Sequence, residues 1–222
     1  DDLNIHLHES PNPGVAPRNV AELENVELPF VPQATRTISM LVGGQQRIGL
    51  LGPNGCGKST LLKVLAGRID PMAGVCRVTD RVAHLDQGLD ILDAQFPVLG
   101  QLQAVNHTLS EGELRTRLAQ LGLDAPKIAM PSGLLSGGER LKAALACVLY
   151  ADTPPRLLLL DEPSNHLDLP SVQALERLLT SYQGALIVAS HDHAFLEQLW
   201  LTDLLVPGTG GWALMPVDHL AA

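Results

Sequence analysis

The 222 residues carry 15 Lys+Arg against 24 Asp+Glu, a formal net charge of −9, and that balance excludes a basic nucleic-acid-binding module. An apolar content of 45% with 18% charged residues supplies a buried core and argues against a disordered chain. The acid is uneven: residues 1–30 hold six carboxylates and one Arg, residues 201–222 hold Asp203 and Asp218 with no base, and the stretch between is close to neutral.

Residues 1–19, rich in Pro, Asn and acid, read as the end of a linker, and 20–222 as one domain. A strand is expected at 20–28, where Leu23, Val26 and Leu28 recur, followed by strand around 36–42 and a buried strand at 46–51. A Gly-rich loop then opens a helix at 58–67, and strand patterns return over 75–85. Residues 91–121 read as helical with breaks at Pro97 and Gly100, and 137–150 as a helix with one apolar side. The run RLLLLD at 156–161 is expected of a strand covered on both faces. A helix at 171–181, a strand at 185–190, a helix at 193–200 and short strands at 203–206 and 212–216 complete the chain. This alternation predicts an α/β parallel sheet with extra β structure in front and a helical insert over about 88–150.

The apolar runs are four to five residues long, far short of the roughly 20 that a membrane helix needs, and no signal-peptide pattern is visible. Cys56, Cys76 and Cys147 are odd in number and lack metal-ligand spacing, which suits a reducing compartment. A cytoplasmic location without membrane insertion is expected.

Three motifs carry chemistry. Gly52, Pro53, Asn54, Gly55, Cys56, Gly57, Lys58, Ser59 and Thr60 form a P-loop (Walker A) between an expected strand and an expected helix. Its backbone N–H groups and helix N-terminus suit β- and γ-phosphates, Lys58 neutralises their charge, and the Ser59 hydroxyl suits Mg²⁺. The second motif (Walker B) is an apolar strand ending in Asp161 and Glu162, placed for Mg²⁺ and for activating a water molecule. The third, Leu135-Ser136-Gly137-Gly138-Glu139, is a second small-residue turn opening a helix, and Ser136 with Glu139 also satisfies a capping box. Cys56 is either a tolerated small residue in the loop or a thiol activated by the helix N-terminus.

P-loop, LSGGE and DEP in this order and spacing resemble the nucleotide-binding domain of ATP-binding cassette (ABC) proteins over about residues 20–216. The resemblance implies a P-loop NTPase fold with a mostly parallel core sheet, an antiparallel β subdomain and a helical subdomain. It assigns Phe30 to stacking on adenine, the alternative being a core Phe at a strand end. It assigns Gln87 to Mg²⁺ and the lytic water, His191 to the γ-phosphate, and Asp168 to the loop that crosses to a partner domain. It implies ATP and Mg²⁺ as ligands, with Ser136, Gly137 and Gly138 donating to a nucleotide held by a second cassette. Leu109-Ser110-Glu111-Gly112-Glu113 imitates the third motif, but Glu111 replaces a phosphate-facing Gly, and it is read as a decoy.

The string Asp161-EPSNHL-Asp168 resembles the ABC-F branch, whose members carry two cassettes in one chain and no membrane domain. Ser190-HDHAFLEQL is similar to that branch's SHDRxFLD, with His193 where Arg is usual. The branch implies a second, C-terminal cassette of an ATPase that acts on the ribosome through regions outside this chain. The alternatives are the ATPase subunit of a transporter, against which SNHLD counts, and a catalytically dead cassette, against which Lys58, Asp161, Glu162 and His191 count.

Overall fold

The computed structural model describes residues 19–86 and 91–217. In chain order the front of the molecule is β1 (Ala21–Glu27), α1 (Gln33–Arg36), β2 (Thr37–Val42), β3 (Arg47–Leu50), α2 (Lys58–Leu65), β4 (Ala73–Val78) and β5 (Val82–Leu85). The helical insert follows as α3 (Val98–Val105), α4 (Glu111–Gln120), α5 (Ala125–Ala129) and α6 (Gly137–Leu149). The chain then runs through β6 (Leu157–Asp161), α7 (Leu169–Ser181), β7 (Ala185–Ala189), α8 (His193–Glu197), β8 (Asp203–Gly208) and β9 (Gly211–Pro216).

Two sheets result. β2, β1 and β4 form a three-stranded antiparallel sheet, and β5-β6-β7-β3-β8-β9 form a six-stranded sheet that is parallel from β5 to β8. β8 and β9 form an antiparallel hairpin at its edge. In β1 the inward residues are Ala21, Leu23 and Val26, a skip that breaks the period of two. A bulge between Leu23 and Val26, with Asn25 at φ 49°, restores Val26 to the core face.

The core sheet is covered on both sides, and β6 shows why its sequence is unbroken Leu. Leu157 and Leu159 join the apolar cluster under the antiparallel sheet and α2, while Leu158 and Leu160 join the cluster under α6, α7 and the helical insert. All four are fully buried, as the apolar run predicts.

Several expectations are corrected. The pattern over 75–85 is two strands in different sheets, parted by the turn at Thr79–Arg81. Pro97 does precede a helix, but Gly100 lies inside α3, where burial of Val98, Leu99 and Leu102 offsets the roughly 1 kcal/mol that a helical glycine costs. The helix expected at 193–200 stops at Glu197, short of Trp200, whose φ is 56°. The four-residue α1 and five-residue α5 were not expected at all.

Parallel register sets the position of the functional residues. Leu50 pairs with Ala189, Asp161 pairs with Ala189, and Leu85 pairs with Leu160. The carboxyl ends of β3, β5, β6 and β7 therefore open at one edge, where ligands of open α/β sheets bind.

Candidate functional site

The phosphate loop leaves β3 and enters α2 at Gly57, which stands at φ 114° as the residue before Lys58. A Cβ at Gly57 would lie 2.7 Å from the Val31 side chain, and one at Gly52 (φ 140°) would lie 2.7 Å from Cys56 Sγ. Both positions require glycine for conformation and for space. Cys56 is buried, with its sulfur packed beneath Gly52, so the small-residue reading fits and a thiol reagent has no open approach. Its carbonyl accepts a 2.5 Å hydrogen bond from Thr35 Oγ1, and Trp212 Nε1 donates to the Thr35 carbonyl at 2.8 Å. α1 thus braces the loop from below, a role carried by Thr35 that has no local sequence signal.

Above the loop lies a cavity of about 300 Å³ bordered by Phe30, Asn54, Gly55, Lys58, Ser59, Thr60, Asp161 and Glu162. Ser59 Oγ donates to Asp161 Oδ2 at 2.6 Å, joining residues 102 positions apart. Lys58 is buried; its ammonium donates to the Gly52 carbonyl and stands 3.3 Å from His191 Nε2. His191 Nε2 lies 2.7 Å from Asn54 Oδ1, within hydrogen-bond distance. Glu162 sits at φ 47°, its amide donating to the Ala189 carbonyl at 2.8 Å. One carboxylate oxygen accepts from the His191 amide at 3.2 Å; the other is buried without a hydrogen bond, 3.3 Å from His191 Nε2. A strained backbone and an unfilled acceptor at one carboxylate are features that cluster at reaction centres.

Phe30 is 94% exposed at φ 61°, which removes the strand-end core reading and leaves its ring open beside the cavity. Gln87 lies outside the described residues. Among the described residues no three His, Cys, Asp or Glu converge as a metal cage. The Ser59 hydroxyl with the Asp161 carboxylate nevertheless fits Mg²⁺, a hard cation that takes one or two protein oxygens and completes its shell from phosphate and water.

The LSGGE turn lies on a different cavity, of about 450 Å³, lined by Ser136, Gly137, Gly138, Asp161, Glu162 and Asp168 among others. No residue of 136–139 borders the phosphate-loop cavity, and no residue of 52–60 borders this one; Asp161 and Glu162 border both. Ser136 caps α6: its Oγ accepts from the Glu139 amide at 3.2 Å and its own amide donates to Glu139 Oε1 at 2.9 Å. Lys127 of α5 places its ammonium 2.7 Å from Glu139 Oε2. That bond, with the Ser136 amide, holds the Glu139 carboxyl down to about 2. Asp168 caps α7 through the Ser171 amide at 2.9 Å, and its bonds to Ser171 lower its pKa. The decoy at Ser110 forms the same capping box on α4 and borders neither cavity.

The sequence model of the ABC transporter family matches residues 35–165. The chain is 34% identical over 194 residues to ABC transporter F family member 5 of Arabidopsis thaliana, covering 85% of this chain and 28% of that protein. It is 40% identical over 191 residues to the tylosin resistance ATP-binding protein TlrC of Streptomyces fradiae, covering 86% of this chain and 33% of that one. The chain thus spans a third or less of the length of these two relatives. A solved ATP-binding subunit of an ABC transporter superposes with a TM-score of 0.70 at 21% identity, covering 90% of each chain, a likeness of fold. The chain belongs to the ABC transporter family, as an ATP-binding cassette with ABC-F proteins among its relatives. Among the described residues no helix is long and apolar enough to cross a membrane.

Proposed function

We propose that the chain hydrolyses ATP as one of two cassettes, its own phosphate loop holding the nucleotide and the signature turn of a partner cassette completing the site. The observation that supports this reading is that the phosphate loop and the signature turn border different cavities: residues of 52–60 line one, Ser136, Gly137 and Gly138 line the other, and Asp161 and Glu162 are shared by the two. A turn of small residues at the N-terminus of a 13-residue helix suits an anion, and this chain's phosphate loop does not border it.

In this reading Lys58 and the loop amides bind the β- and γ-phosphates, and the exposed Phe30 ring stacks on adenine. Ser59 and Asp161 would hold Mg²⁺, which when bound neutralises phosphate charge. Glu162 takes a proton from the attacking water with its carboxylate, and His191, within hydrogen-bond distance of Asn54, serves the γ-phosphate by resemblance. Gln87 joins the set by resemblance alone. Thr60 and Pro53 complete the loop, and Asp168 orders the start of α7 next to the signature turn.

The wider role proposed is that of the second cassette of an ABC-F protein, with 1–19 the end of a linker and 20–222 the cassette, acting on the ribosome in the cytoplasm. ATP-dependent pairing is tested by sedimentation of the Glu162→Gln variant. ATP·Mg should shift it from single to paired chains, and a chain that stays single at saturating ATP would refute the composite site.

A further inference from the structure

Glu139 sets an electrostatic problem for the turn that it belongs to. It sits in the first turn of α6, where a carboxylate satisfies the positive end of the helix and so lowers its appetite for another anion. Its Oε1 also occupies the Ser136 amide, at 2.9 Å. A phosphate arriving at Ser136, Gly137 and Gly138 would meet a full negative charge one helical turn away.

Lys127 answers that charge. Its ammonium lies 2.7 Å from Glu139 Oε2, the oxygen that Ser136 does not use. Its placement is fixed twice over: the Lys127 amide bonds the Asp124 cap at 3.2 Å, and the next residue, Ile128, is buried in the core. Lys142, also near Glu139, is buried and feels Asp168, so its charge is shared with a second carboxylate, and Arg140, the residue after Glu139, borders the same cavity as the turn.

We infer that Lys127 is a positioning residue for the signature turn, cancelling the Glu139 charge so that the α6 N-terminus stays receptive to the phosphate of a partner's nucleotide. This rests on the pairing reading above. A bare tether between α5 and α6 would show the same ion pair, and the two roles part in one respect. Glu139→Gln by itself parts them: neutralisation predicts pairing kept within about twofold, because the charge to be cancelled is gone, whereas a tether predicts a loss like that of Lys127→Met, because the ion pair is gone.

The experiment is a double-mutant cycle on ATP-dependent pairing, in the Glu162→Gln background and followed by sedimentation. Lys127→Met should weaken pairing by about fivefold or more, the scale of one uncompensated charge at a helix terminus. Lys127→Arg, which keeps the charge, should stay within about twofold of the parent. In a Glu139→Gln background the further change Lys127→Met should cost less than about twofold, because no charge remains to cancel. Equal loss from Lys127→Met in both backgrounds, no loss in either, or a loss in Glu139→Gln alone as large as that of Lys127→Met overturns the inference. Gly137→Asp separates the two levels: it must abolish pairing, and if it does not, the pairing reading itself falls and this inference with it. Should Lys127→Met fail to fold, as a melting curve would show, Lys127→Gln replaces it with the same expectations.

Discussion

The Lys58 ammonium has two neighbours in the structure, the Gly52 carbonyl and the His191 ring, and a triphosphate would be a third. Charge-assisted bonds to phosphate are stronger than one to a neutral carbonyl, so nucleotide draws the ammonium away from Gly52. Lys58→Ala is therefore expected to weaken ATP binding at least about tenfold, read by titration with a fluorescent nucleotide. Glu162→Gln should retain nucleotide but lower turnover about 10²-fold or more, the scale of a lost general base. Single-turnover phosphate release at the parental rate would remove Glu162 from that role. Glu139 carries a pH signature. Its folded carboxyl titrates at about 2 against an ordinary 4.5, so its contribution to stability is complete above about pH 4.5 and is lost as pH falls toward 2. Urea unfolding across that range should show a shallower acid slope for Glu139→Gln than for the parent.

Arg47 ties elements together at the opposite edge from the site. Its guanidinium donates to the carbonyls of Leu179, Tyr182 and Leu199, binding the start of β3 to the ends of α7 and of the α8 segment. Arg47→Ala removes these three charge-assisted bonds and should cost about 3 kcal/mol, a fall of several degrees in Tm with ATP binding retained. Gly49, in β3, is a packing position: a Cβ would lie 2.7 Å from a Leu201 methyl and 2.9 Å from one of Leu204. Gly49→Ala should destabilise by about 1–3 kcal/mol through overpacking, checked by denaturant unfolding. Elements that follow from their own residues were legible in the sequence. β6 and β7 show as apolar runs because both faces are covered, and α6 announces itself by its Ser–x–x–Glu box, whereas the same box at Ser110, which starts α4, reads in the sequence only as a decoy of the signature turn. α1 and α5 did not, because four and five residues are too few for a period to register, and tertiary contacts of Thr35 and Ile128 hold them. The site divides the same way. The loop, the acidic pair and the signature turn are contiguous and readable, whereas Asn54 against His191, Thr35 against Cys56 and Lys127 against Glu139 exist only once the chain is folded.

At the scale of the molecule, the uneven charge and the two cavities bear on each other. The acid gathers toward residues 1–30 and 201–222, and the sheet edge where β3, β6 and β7 end keeps Lys58 and the loop amides for phosphate. Near-neutrality of the remainder favours close approach of a second cassette, since like charges would otherwise oppose it. The most direct test of the composite site is ATP turnover per chain, measured with sedimentation from nanomolar to high micromolar concentration. The account predicts turnover that rises with concentration in step with pairing. Comparable turnover per chain at both extremes, with single chains at each, would contradict it.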